Sequence, residues 1–170
     1  MSDKIKHKIC LIPKTSWDQN LRSHLTKSGW DKVRRKCYAE NDYHCQICGG
    51  QYGNGKKHPV ECHEDWTFED GEVKLAGLMC LCPPCHEFHH PGLAEMNGNV
   101  ERMLKQFMKV NSITRDQAIK YMKSEFDIWR ERSKQSWTLN IGYLDEYMGG
   151  EQVGKKKKPV LKDFGPGEAF

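Results

Sequence analysis

With 170 residues, 29% of them charged, a formal net charge of +4 and a mean hydropathy of −0.81, the chain suits one small domain with appendages and a modest interior. No apolar run approaches the roughly 20 residues that span a bilayer, and the start Met1-Ser2-Asp3-Lys4 has no apolar leader core. The expectation is therefore a cytoplasmic protein with no membrane contact, whose eight cysteines stay reduced, and whose mild basicity permits a nucleic-acid partner without requiring one.

In chain order, Ile9-Cys10-Leu11-Ile12 reads as a short edge strand, since Pro13 limits any helix. Ser16-Trp17-Asp18-Gln19 matches a capping box, and Trp17, Leu21 and Leu25 recur at i, i+4, i+8, which predicts a helix to about Lys27. Gly29 should break it. A second helix is expected over residues 30–41, with Trp30, Val33 and Cys37 inward and Lys32, Arg34, Arg35 and Lys36 mostly outward.

From Cys45 to His90 the chain concentrates six cysteines and five histidines. Two C-x-x-C pairs frame this stretch, Cys45 with Cys48 and Cys82 with Cys85. Each pair sets two thiolates on one turn, and four thiolates at tetrahedral corners suit a structural zinc ion. Between the pairs lies more chain than a ribbon finger needs. Residues 49–57 hold four glycines and read as a loop carrying Lys56 and Lys57. Residues 60–68 have strand character, 69–72 make a turn, and 73–81 form a second strand. Strand alternation puts Glu61 and His63 on one face, Cys62 and Glu64 on the other.

Pro83-Pro84 fits the entry to a helix that carries His86, His89 and His90 until Pro91-Gly92 ends it. At i, i+4, His86 and His90 point to a common ion. His89 projects about 100° away, which leaves it a supporting or phosphate-contacting role. Beyond Asn97-Gly98, Val100, Met103, Leu104, Phe107 and Met108 mark an amphipathic helix. Thr114-x-x-Gln117 then caps another, with Ile119, Met122, Phe126 and Trp129 as its stripe. This helical hairpin either covers the zinc unit or forms a dimer face. Residues from Ser136 suggest a short strand or docking segment, and a mobile basic tail with lysines at 155–158 should follow Gly149-Gly150.

The combination of a knuckle, a histidine-bearing hairpin, a second knuckle and an H-x-x-x-H helix resembles the HNH, or ββα-metal, endonucleases over about residues 30 to 95. The ending from Cys85 to Gly92 is similar to the H-x-x-x-H-x-G ending of the nuclease colicins. The resemblance implies an α+β fold: a zinc-stabilised, treble-clef-like ββα-metal core with flanking helices. In that organisation, residues 1–29 are an N-terminal extension, 30–96 the zinc-binding unit, 97–148 a helical hairpin with docking segment, and 149–170 the tail.

The resemblance further implies that His63 is the general base and that His86 and His90 hold a catalytic divalent ion, Mg2+, Mn2+, Ni2+ or Zn2+. Glu61, Cys62 and Glu64 are alternative third ligands. The family usually has Asp or His where this chain has Cys62, and Asn where it has Gly77; a thiolate suits late transition ions better than magnesium. The implied activity is metal-dependent hydrolysis of phosphodiester bonds in DNA, with RNA also possible, by a monomer or homodimer. Arg34, Arg35, Lys56, Lys57 and His89 would contact phosphate. The departures at Cys62 and Gly77 favour a second reading, a zinc-stabilised module that binds nucleic acid or protein and cleaves nothing.

Overall fold

The computed structural model describes residues 5–50 and 60–156, so Lys56, Lys57 and the tail from residue 157 lie outside the described residues. The architecture is mixed α+β around a three-stranded sheet in the order β1-β2-β3. Strands β1 (Glu61–Glu69) and β2 (Glu72–Leu81) form the hairpin that the sequence predicts. Their connection is Asp70-Gly71, both at positive φ (51° and 76°), the two-residue turn whose twist matches antiparallel strands. The register slips by one between Asp65 and Trp66, which leaves Ala76 as the extra residue of β2. Strand β3 (Thr138–Asn140) then adds parallel to β2, pairing Thr138 with Glu72.

On one face of the hairpin lie α1 (Leu21–His24) and α2 (Lys27–Glu40), with Val33 fully buried against Trp66, Val73 and Leu75. Helix α2 packs on both strands of the hairpin, while the next helices in the chain gather around the knuckles at the hairpin's end. Later in the chain come α3 (Pro83–Glu87), α4 (Pro91–Met96), α5 (Val100–Asn111) and α6 (Arg115–Arg132), followed by α7 (Tyr143–Tyr147) beside β2. The α5–α6 hairpin forms as its periodicity predicts, and Thr114 and Gln117 make the reciprocal capping box. Phe107, Met103 and Tyr121 pack with Phe88, Cys45, Cys82 and Cys85 in one buried cluster, so the helical hairpin covers the two knuckles. No helix among the described residues is long and apolar enough to cross a membrane.

The N-terminal fifth differs from expectation. No strand forms at residues 9–12, because side chains of α5 and α6 take the amides: His7 N–H donates to Asn111 Oδ1 (2.8 Å) and Ile9 N–H to Tyr121 Oη (3.0 Å). The predicted helix from Ser16 to Lys27 is split. Lys14–Ser16 makes a single 3-10 turn, Asn20 caps α1, and Thr26 caps α2. Two strong N-cap residues six positions apart each start a new helix. Gly29 does not break a helix but sits inside α2. A Cβ there would lie 2.7 Å from the Gly154 carbonyl oxygen, so only glycine admits the returning C-terminal segment. That segment is docked through residue 156 rather than mobile from 149: Thr26 N–H donates to Gly154 O (2.7 Å), Lys155 bridges Leu25, and Lys156 N–H donates to His24 O (2.7 Å).

Candidate metal centre

The first knuckle turns because Gly49 adopts φ 71°, letting its N–H reach Cys45 O (2.8 Å) while Cys45 N–H donates to Gly50 O (2.9 Å). It is fastened to the second strand by Gln46, whose N–H donates to Cys80 O (2.9 Å) and whose Oε1 accepts from Cys80 N–H (2.7 Å). The second knuckle follows directly from β2, with Cys82 as N-cap of α3 and Cys85 within it. The sulfurs of Cys45, Cys48, Cys82 and Cys85 all lie within 4.8 Å of one another, a set that could hold a metal ion such as zinc. Three of the four cysteines are buried. Gln106 from α5 donates to Cys85 Sγ (3.1 Å), the kind of outer contact that fixes a thiolate.

A second group converges one residue further on. Ligand atoms of His63, His86 and His90 also lie within 4.8 Å of one another. Their route differs from the one predicted. Helix α3 stops at Glu87, and Pro91 opens α4 instead of closing α3, leaving His90 as the α4 N-cap with φ −124° and ψ 59°. Proline disfavours the helical region for the residue before it, and so forces the break at His90. The two imidazoles meet nonetheless, with Nε2 atoms 3.0 Å apart. Glu61, on the same strand face as His63, accepts from His86 Nδ1 at 2.5 Å. That bond holds the Glu61 carboxyl below the usual range, fixes the His86 tautomer, and leaves its Nε2 lone pair directed at the cluster.

Desolvation disfavours the charged form of His63, His89 and His90. It pushes His63 far below the ordinary imidazole value, with the neighbouring histidines adding to the effect. The same desolvation brings His89 to about 3 and His90, hemmed in by protein although its edge reaches solvent, to about 4. His89 is only 6% exposed, stacked on Phe88 and 4.3 Å from the His63 ring centroid. It packs against His63 and is buried rather than on the surface. Among the described residues the His63 ring nitrogens make no hydrogen bond, so ring packing alone sets its position.

The other two candidate third ligands turn elsewhere. Cys62 packs with Cys37 and Cys80 under α2, where a hydrogen bond with Cys37 and burial push its thiol up; the ladder stays regular there, since the bulge lies further along. Glu64 accepts the Leu21 N–H (2.6 Å) and so pins α1 to β1; burial raises its carboxyl. Gly77 has open space where a Cβ would be.

A cavity of about 340 Å3 lies beside the histidines, walled on the other side by the arm that contains Cys10, Ser16, Trp17, Gln19 and Arg22. Arg34 and Arg35 are on α2; Arg34 is paired with Asp31 at 2.7 Å and neither lines the cavity. The basic residue that does is Arg22, which sequence reasoning missed. Nothing in its spacing marks it, because long-range folding alone brings the arm to the hairpin. No family model, curated protein or solved structure matches this chain.

Proposed function

We propose that the chain is a metal-dependent endonuclease of the HNH type that hydrolyses phosphodiester bonds in DNA, with the histidine cluster as its reaction centre. The observation that carries this reading is the convergence of His63, His86 and His90 within 4.8 Å, on the residue that follows a four-sulfur cluster. The donor set fits a divalent ion: imidazoles, one of them oriented by a carboxylate, suit zinc or nickel. Such an ion, when bound, polarises a phosphoryl oxygen and offsets charge on the departing 3′ oxygen.

The residues divide the remaining work. His86 and His90 would hold the ion, and Glu61, bonded to His86 Nδ1, leaves the His86 Nε2 side free for that role. His63, whose ring lies beside those of His86 and His90, accepts the proton of the attacking water as its oxygen bonds to phosphorus and the 3′ oxygen leaves. His89 backs His63 and excludes water from its far side. The cysteine cluster stands outside the reaction and positions α3.

His63→Ala should keep zinc content and fold but lower plasmid cleavage by about 10²- to 10⁴-fold; unchanged cleavage would refute the assignment. The orientation of Cys62 towards Cys37 and the bare Gly77 favour the second reading, a zinc-stabilised binding module. One tightly held zinc per chain, with no cleavage in magnesium, manganese or nickel, would establish that reading instead.

A further inference from the structure

The arm wall of the cavity plays no part in the chemistry above, yet it is chemically prepared. Ser16 Oγ, Gln19 Oε1 and His89 Nε2 are buried and have no hydrogen-bond partner among the described residues, and all three residues line this cavity. Buried polar atoms are rarely left so. Ser16 is only 1% exposed. Gln19 donates its Nε2 to Trp137 O (3.2 Å), which fixes the amide and leaves Oε1 as a committed acceptor. At the rim, Trp17 is 59% exposed, and the exposed Arg22 lays its guanidinium over Trp30 at 5.4 Å. An aromatic face, a hydroxyl and an acceptor inside, and a cation next to imidazoles complement a planar ring with a polar edge joined to an anion. The volume, about 340 Å3, lies in the range of small-ligand sites.

We propose that this cavity is a nucleobase subsite in which Trp17 stacks on one base, Ser16 and Gln19 hydrogen-bond to its edge, and Arg22 holds the adjoining phosphate towards His86 and His90. The orientation of the phosphate rests on reading the histidines as a phosphodiester-cleaving centre. A base whose edge is engaged by Ser16 and Gln19 has given up its pairing partner, so the substrate is single-stranded or carries a flipped-out nucleotide. The Gln19 acceptor selects a base that presents an amino group, such as cytosine, over thymine.

The test uses the full-length His63→Ala protein and fluorescein-labelled oligonucleotides, dC12, dT12 and a 12-base-pair duplex, followed by anisotropy at one salt concentration. The single strand dC12 should bind about tenfold tighter than the duplex, and Trp17→Ala should weaken dC12 about tenfold while leaving duplex binding unchanged. Trp17→Phe should recover most of the loss, which separates stacking from a folding defect. Gln19→Ala should bring dC12 and dT12 together. Equal affinity for dC12 and duplex, or a Trp17→Ala protein that binds dC12 as well as its parent, would overturn the subsite. The two readings fail separately. Trp17-dependent binding by a wild-type chain that cuts nothing removes the nuclease and keeps the subsite; cleavage and dC12 binding indifferent to Trp17 do the reverse.

Discussion

Cys85 and His86 are consecutive residues of α3, yet they serve centres of opposite character. The sulfur cluster is mostly buried, is made by two tight turns, and lies under Phe88, Phe107 and Met103. The imidazole cluster is assembled from β1, α3 and the start of α4, and His90 at its rim is exposed. One centre is specified by local backbone and largely shielded from solvent; the other depends on the first for its geometry and opens on a cavity. On the proposed reading, the difference separates stability from function within two adjacent side chains.

Breaking the sulfur side should have the largest effect. Structural zinc in small domains is worth about 10–16 kcal/mol, which is as much as the whole stability of an ordinary domain, about 5–15 kcal/mol. Cys45→Ser should therefore abolish the cooperative thermal transition seen by circular dichroism and release zinc measured by elemental analysis. A folded, zinc-loaded Cys45→Ser protein would dissolve the contrast.

On the imidazole side, His86→Ala should keep the sulfur-bound ion and shift Tm by only about 2 °C. It should lose a second, exchangeable divalent ion in equilibrium dialysis, and cleavage with it. A smaller perturbation is Glu61→Gln, which weakens the orientation of His86 without removing a ligand. Nickel titration should give an affinity about tenfold lower, with zinc content unchanged.

The smallest effect concerns an imidazole that belongs to neither centre. His24 in α1 is held below its ordinary value by burial, against the opposing influence of Asp18. Between its folded pKa and about 6.5 the unfolded chain takes up a proton that the native state refuses, so stability falls as pH falls through that window. His24→Asn should flatten this part of the stability profile in urea melts taken between pH 7 and 5. An unchanged slope would show that burial of an unmetallated ring carries no acid penalty here.

Much of the sulfur centre was legible because its information is local. A C-x-x-C pair fits one turn, and the apolar spacing of Val100, Met103, Leu104 and Phe107 announces the helix that covers it. Strand alternation likewise placed Glu61 with His63 and turned Cys62 away. The imidazole centre was legible in membership but not in construction, since the steric demand of Pro91 on His90 outweighs the helical reading of the H-x-x-x-H spacing. Least legible was the arm. Trp17, Leu21 and Leu25 have helical spacing, but Trp17 is exposed and only Leu21 and Leu25 are buried. Asn20 and Thr26 divide the segment, and contacts more than 100 residues away fix its course.

The bridge between Leu25 and Lys155 joins the N-terminal arm to the segment that follows α7, and Lys156 Nζ adds a bond to Arg22 O (2.9 Å). Shortening the chain ahead of Gly154 would spare every sulfur and imidazole while loosening the backbone under Arg22. If Arg22 holds a phosphate as proposed, that hold would then weaken through deletion of residues remote from the histidines.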